Sequence, residues 1–135
     1  MKLTAIVLML LLAVSTIGQA QSNAAVSTKY IAAAEALAAD DYVKAKTALT
    51  GLAKESQGAL KTKAQATADA KDIAAMRKAF HELSQDVIKM QMPQGYGVVL
   101  CPMYSGGARW VQKEGTTVAN PYFGKTMLTC GSFQK

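Results

Sequence analysis

Histidine is almost absent from this sequence, since His81 is the only one. The zinc-protease helix motif needs a second histidine four residues later, where this chain has Gln85, so that motif is excluded. The segment Gly95-Tyr96-Gly97 lacks the third glycine of a dinucleotide-binding loop, and the chain has no serine nucleophile elbow. We therefore expect the protein not to be an enzyme.

Clusters of basic residues interleaved with aromatic residues are also missing. The net charge of +6 becomes +5 if Lys2 is removed with the N-terminal segment discussed below. The remaining charge is spread along the chain, which is typical of a solvated basic surface, whereas grooves for single-stranded nucleic acid combine basic and aromatic side chains. We expect no nucleic-acid partner.

The apolar runs are shorter than the roughly 20 residues that a transmembrane helix needs, so an uncleaved N-terminal membrane anchor is only an alternative to the interpretation that follows. The run AIVLMLLLAV at residues 5–14 follows Lys2 and is followed by the small, polar stretch STIGQA, which ends at Ala20. This order is typical of a secretory signal peptide. The sequence thus predicts a signal peptide at residues 1–20, cleaved after Ala20, and a periplasmic or otherwise extracytoplasmic single domain at residues 21–135 that does not span a membrane.

Proline is absent from residues 21–92, and glycine occurs there only at Gly51 and Gly58, which favours helices. Apolar residues recur in this segment at spacings of three and four, as on one face of a helix. They form three sets: Val26, Tyr30, Ala33 and Leu37; Tyr42, Ala45, Leu49 and Leu52; and Ile73, Met76, Phe80, Leu83, Val87 and Met90. The fold class is therefore expected to be mainly α, a small up-and-down helical bundle.

Three aspartates lie where helices are expected to begin. Asp40 and Asp41 separate the first two apolar sets and can accept the unpaired amide protons that open a helix. Asp72 precedes the third set, where its charge suits the positive end of a helix. Residues 54–71 have weak periodicity, so they could extend the second helix, form a short helix of their own or link two helices.

Residues 93–135 have a loop-and-turn composition, with all three prolines, seven of the ten glycines and both cysteines. We expect this irregular segment to close over the bundle. YGVVLC at residues 96–101 and ARWVQ at residues 108–112 are candidate strands of a short hairpin that turns at Gly106-Gly107. The stretch at residues 119–131 predicts a turn at Asn120-Pro121, then one or two helical turns ended by Gly131.

Four sulfur-bearing residues in this segment are candidate metal ligands: Cys101, Met103, Met127 and Cys130. Cys101 and Met103 project to the same side of an extended segment, and Met127 and Cys130 share a face if their segment is helical. Thiolates and thioethers together select soft ions, above all Cu(I), with Zn(II) second. His81 is a distant fifth candidate, because it flanks an apolar stripe and is expected to be a partly buried surface residue.

A disulfide between Cys101 and Cys130 is the main alternative, since an even number of cysteines in an exported protein favours pairing. It would close a loop of about 30 residues and contribute about 3 kcal/mol in the loop-entropy model. The methionines would then be ordinary core residues. Two unpaired cysteines and a cysteine-dependent enzyme are the remaining alternatives.

The pattern CPM, GARWVQ, NPYFG and MLTCG resembles an uncharacterised family of bacterial exported domains. That family is found alone or attached to membrane-fusion adaptors of copper and silver efflux systems. Its blocks match Cys101 to Met103, Gly107 to Trp110 with Val111 where leucine is usual, Asn120 to Gly124, and Met127 to Gly131. Phe80, Leu83 and Ser84 match its Phe-x-x-Leu-Ser helix, and EALAADDYVKAKTAL is similar to its earlier helix pair.

The resemblance implies a helical-bundle domain that takes part in extracytoplasmic handling of copper or a related heavy metal. A metal ion and an efflux adaptor protein are the implied partners. It also implies that all four sulfur residues lie in family blocks, which strengthens the interpretation as a metal site. The sequence thus leaves two functions open, a soft-metal-binding protein linked to efflux or tolerance and a disulfide-stapled protein-interaction module that binds no metal.

Overall fold

The computed structural model describes residues 23–135, so the predicted signal peptide at residues 1–20 lies outside the described residues. Four helices come first: α1 at residues 23–38, α2 at Tyr42–Glu55, α3 at Gly58–Ala68 and α4 at Ile73–Val87. Strands β1 at Tyr96–Cys101 and β2 at Ala108–Lys113 follow, and a short 3-10 helix at Gly124–Thr126 precedes β3 at Ser132–Phe133. The predicted mainly α fold, a small bundle closed by a C-terminal segment with a short hairpin, is confirmed.

Two of the three aspartates cap helices as expected. The Asp41 carboxylate accepts a hydrogen bond from the Lys44 backbone at 3.0 Å and opens α2. The Asp72 carboxylate accepts a hydrogen bond from the Ala75 backbone at 2.8 Å and opens α4. These bonds satisfy amide protons that have no partner inside the helix. The weakly periodic residues 54–71 contain the separate helix α3.

The bundle and the sheet meet at Tyr30 of α1, which is fully buried. Its ring stacks on Phe80 of α4 with the ring centroids 5.0 Å apart. Its hydroxyl lies 2.8 Å from the Ser84 hydroxyl and accepts a hydrogen bond from the Val111 backbone of β2 at 3.4 Å. Burial raises the pKa of Tyr30 above its ordinary range, so the hydroxyl stays neutral. One side chain thus joins α1, α4 and β2.

The sheet is antiparallel with the order β2-β1-β3, so β1 is the central strand. The hairpin pairs Tyr96 with Lys113 at its open end and Cys101 with Ala108 at its turn. Gly106 and Gly107 both have positive φ angles, which glycine adopts readily. The predicted hairpin and its turn are present, whereas the sequence did not indicate β3. Within residues 23–135, no helix combines the length and apolar character that a membrane crossing requires.

Candidate dithiol site

Cys101 lies at the end of the central strand and is fully buried. Its backbone pairs with Ala108 in β2. The thiol therefore takes its position from the sheet and the core packed around it. The position of the Cys101 side chain thus does not depend on a bound ligand or partner.

The buried amide of Asn120 organises the chain segment that carries Cys130. Its Oδ1 accepts hydrogen bonds from the backbone of Tyr122 at 2.8 Å and Phe123 at 3.2 Å. Its Nδ2 donates to the Cys130 carbonyl at 2.8 Å, and its backbone donates to Leu128 at 2.7 Å. Asn120 is fully buried, and these contacts satisfy its side chain. The turn and the Cys130 segment are thus held together by one residue.

The same turn is attached to the helices by Arg77 of α4. Its guanidinium donates to the Asp40 carboxylate at 2.6 Å, to the Leu37 carbonyl at 2.6 Å and to the Pro121 carbonyl at 2.9 Å. A Cβ on Gly124 would collide with Asp40 Oδ1 and Arg77 Nη2, so only glycine fits beside this ion pair. The turn therefore has a fixed position on the bundle.

Strand β3 brings the end of the chain against β1, with Val99 paired to Phe133. Gly131 lies between Cys130 and β3, and a Cβ at this position would lie 2.8 Å from both Trp110 Cη2 and Val99 Cγ1. Its φ angle of +144° is also one that other residues rarely adopt. The chain can approach the sheet this closely only at a glycine, and the approach places Cys130 beside the end of β1.

The two thiols are close neighbours, because Cys101 follows Leu100 in β1 and Leu100 pairs with Ser132, two residues after Cys130. Both thiols are free. The neighbouring Cys101 thiol raises the pKa of Cys130 above its ordinary range, burial acts in the same direction, and the Met103 N–H acts against them. Two sulfurs separated by 28 intervening residues thus form one dithiol site, defined here as Cys101 and Cys130.

The methionines approach this site through their backbones. The Met127 carbonyl accepts a hydrogen bond from the Cys130 N–H at 3.1 Å, and its side chain is half-buried. Met103 follows Cys101 closely in the chain, and its side chain is 66% exposed. The structure therefore brings the two cysteines of the sequence prediction together, with Met103 and Met127 close to them in the chain.

His81 lies in an aromatic cluster. Its ring stacks on Tyr104 with the centroids 4.9 Å apart and meets Tyr122 edge-on at 5.8 Å. Its Nε2 lies 3.3 Å from the Gly107 carbonyl and its Nδ1 lies 3.4 Å from a Glu82 carboxylate oxygen. The half-buried position matches the expectation of a partly buried surface residue. These contacts give the imidazole a packing role beside the hairpin turn.

The donor set available to a metal at the dithiol site is soft. Among residues 23–135, no three or more His, Cys, Asp or Glu side chains are grouped so that they could hold an ion. An ion at this site would rely on two thiolates, with thioether sulfur as the nearby supplement. This set suits Cu(I) better than Zn(II), which usually takes four nitrogen, sulfur or oxygen ligands.

The Arg77 contacts are the part of the site that the sequence did not indicate. Asp40 has a φ angle of +59° and binds Arg77 instead of capping α2. Arg77 and Asp40 are 37 residues apart, and neither belongs to a local motif. The glycine at position 124 was the one available signal, because Gly124 makes room for the ion pair.

Comparisons with known proteins add no assignment to this geometry. No family model, curated protein or solved structure matches the chain.

Proposed function

We propose that this is an exported, non-enzymatic protein that binds a soft metal, copper or a related heavy metal, and serves its efflux or tolerance. Cys101 and Cys130 supply the two thiolates. The observation that carries the proposal is the proximity of these thiols, one buried at the end of β1 and one half-buried on the returning chain. Preorganised ligands reduce the ordering cost of binding.

Cu(I) is the ion that this site fits best. Its preference for thiolate and thioether ligands matches two cysteines flanked by Met103 and Met127. We assign the exposed Met103 side chain and the half-buried Met127 side chain to the roles of additional thioether ligands or gates. Zn(II) is the second choice, because the two thiolates would supply only two of its usual four tetrahedral ligands.

The proposed partner beyond the metal is an efflux adaptor protein. Support comes from the resemblance of the CPM, NPYFG and MLTCG blocks to domains attached to such adaptors. Asn120 of the NPYFG block donates a hydrogen bond to the Cys130 carbonyl of the MLTCG block. A domain of this kind would hold the metal until it passes to the efflux assembly.

A disulfide-stapled interaction module without metal is the second candidate function. The same proximity of the thiols favours it, since neighbouring sulfurs need little movement to form a bond. The bridge would close a loop of about 30 residues and contribute about 3 kcal/mol in the loop-entropy model. In this form the thiolates would be consumed and no soft metal would bind.

Anaerobic competition between the reduced protein and a chromophoric Cu(I) chelator tests the proposal. We expect one Cu(I) per chain. Cys101→Ser and Cys130→Ser should each weaken Cu(I) binding by more than the roughly 10–100-fold that loss of a supporting residue costs a metal site. Met103→Leu and Met127→Leu should weaken it by about tenfold, as expected for supplementary thioether ligands.

Met76→Leu is the matched control, because Met76 is fully buried in α4 and belongs to the helical core. Its affinity for Cu(I) should equal that of the unmodified chain. Binding that survives in Cys130→Ser, or no Cu(I) uptake by the fully reduced protein, would overturn the metal function and favour the interaction module.

A further inference from the structure

The two sulfurs of the dithiol site differ in access. Cys101 is fully buried, whereas Cys130 is only half-buried and follows a stretch of chain, residues 125–129, in which every residue except the half-buried Met127 is exposed. Met103, which lies near Cys130, is 66% exposed. A reagent arriving from solvent therefore reaches the Cys130 sulfur first and finds the second sulfur directly behind it.

We propose that the dithiol site undergoes thiol–disulfide exchange in a fixed order, with Cys130 as the attacking thiol and Cys101 as the resolving thiol. The co-reactant is a disulfide, either a small one or one carried by another protein. The inference rests on the proposed function in one respect only: the exchange would regulate metal binding, because the oxidised pair has lost both thiolates.

The chemistry balances in two steps. The Cys130 thiolate attacks one sulfur of R–S–S–R, a Cys130–S–S–R bond forms, and one R–S⁻ leaves. The Cys101 thiolate then attacks the Cys130 sulfur, the Cys101–Cys130 disulfide forms, and the second R–S⁻ leaves. The protein gives up two electrons and two protons, and the incoming disulfide is reduced to two thiols.

The order follows from geometry. Cys101 is enclosed by the core and by its pairing with Ala108, so an external disulfide has no path to its sulfur. The proximity of Cys130, set by the pairing of Leu100 with Ser132, nevertheless gives Cys101 access to a mixed disulfide formed there. The first step requires a sulfur that solvent can reach, which Cys130 provides. The second step requires a thiol close to the mixed disulfide, which Cys101 provides.

Reaction of the reduced protein with oxidised glutathione, followed by intact-mass measurement, tests the order. The unmodified chain should lose two hydrogens and retain no adduct. Cys101→Ser should accumulate one glutathione on Cys130, because the resolving thiol is missing. Cys130→Ser should react at least about 100-fold more slowly, because buried cysteines are inert.

A second measurement uses the unmodified chain, so it does not depend on the folding of variants. Acid quenching at early times followed by peptide mapping should find glutathione on Cys130 alone. Glutathione on Cys101, or equal reaction rates for the two single variants, would overturn the order.

Failure of this inference is distinguishable from failure of the metal function. Anaerobic Cu(I) titration of the reduced chain reports metal binding without any disulfide present. Cu(I) uptake together with random exchange order would remove this inference alone, whereas ordered exchange without Cu(I) uptake would remove the metal function alone. Loss of Cu(I) uptake after glutathione oxidation, and its return after reduction, would support the regulatory role.

Discussion

The amide of Asn120 shows how one side chain can determine where a thiol lies. It is fully buried and bonds to the backbone of Tyr122 and Phe123 on one side and to the Cys130 carbonyl on the other. An alanine at this position would leave two donors and one acceptor without partners in the protein interior. Unsatisfied buried groups cost about 1–3 kcal/mol each.

We predict that Asn120→Ala lowers the free energy of unfolding by about 2–4 kcal/mol, because several of these bonds are lost together. Urea unfolding followed by circular dichroism measures this change. Gln94→Ala is the control, since Gln94 is exposed, and it should change stability by less than about 0.5 kcal/mol. Equal stability of the two variants would show that Asn120 does not anchor the turn.

Gly124 provides a second prediction at this scale. Gly124 and Gly115 both have positive φ angles, +55° and +75°, so alanine is strained at either position. A Cβ on Gly115 meets open space, whereas one on Gly124 meets the Asp40–Arg77 pair. Gly124→Ala should therefore be more destabilising than Gly115→Ala by about 1–3 kcal/mol, the usual cost of overpacking. Matching losses in thermal unfolding would contradict the steric role of Gly124.

The sequence predicted the residue types of the site better than their contacts. Two cysteines and two methionines in matching blocks pointed to one cluster, and the structure brings the cysteines together. The exposure of Met103 could not be predicted, because it depends on the path of the hairpin turn in space. The bond between Asn120 and Cys130 could not be predicted either, because it joins residues across an irregular turn whose shape has no periodic signal.

At the scale of elements, the Asp40–Arg77 pair joins the end of α1 to α4 and to the turn at Pro121. The Arg77 guanidinium and the Lys125 backbone N–H hold the pKa of Asp40 below its ordinary range. A carboxyl whose pKa is lowered by folding stabilises the protein above its unfolded pKa, about 3.9. That contribution is lost as the pH falls through the lower, folded value.

We predict that Asp40→Asn removes this pH-dependent part of the stability. Asparagine is a suitable replacement because Asp40 has a left-handed φ angle of +59°, which asparagine tolerates. The free energy of unfolding should fall by about 1 kcal/mol at neutral pH, and the difference from the unmodified chain should vanish in strong acid. Urea unfolding between neutral and acidic pH measures both. A difference that stays constant with pH would contradict the ion pair.

The helices and the hairpin could be predicted because their signals are local. The apolar spacing of Val26, Tyr30, Ala33 and Leu37 corresponds to a face of α1 that is now buried. The third apolar set in the sequence continued to Met90, whereas α4 ends at Val87. The apolar spacing therefore extends beyond the end of the helix. Strand β3 has only two residues, so it is too short to show an alternation of apolar and polar residues in the sequence. It also depends on pairing with the distant strand β1.

Over the whole molecule, Tyr30 is the residue that couples bundle and sheet. Its hydroxyl contacts Ser84 in α4 and the Val111 backbone in β2, while its ring stacks on Phe80. Tyr30→Phe should keep the stacking but leave the Val111 N–H without this partner. We predict a loss of about 1–3 kcal/mol in unfolding free energy.

Tyr96→Phe is the matched control, because it removes a hydroxyl from a half-buried tyrosine in β1. Thermal and urea unfolding of the two variants should show the larger loss for Tyr30→Phe. If the two changes are equal, the hydroxyl of Tyr30 does not couple the bundle to the sheet.

The helical bundle supports the irregular C-terminal segment, residues 93–135, which is fixed in place by a few contacts. Arg77 holds the turn, Asn120 holds the returning chain, and Gly131 allows that chain to reach the sheet. These three contacts place Cys130 against Cys101. The function proposed for the molecule depends on that placement.

X-ray absorption at the copper edge of the reduced protein loaded with one equivalent of Cu(I) tests this dependence most directly. A coordination shell of sulfur alone, lost when Cys101 and Cys130 are both replaced by serine, is the predicted result. A shell of nitrogen or oxygen, or a sulfur shell that persists in the double variant, would contradict metal binding by the dithiol site.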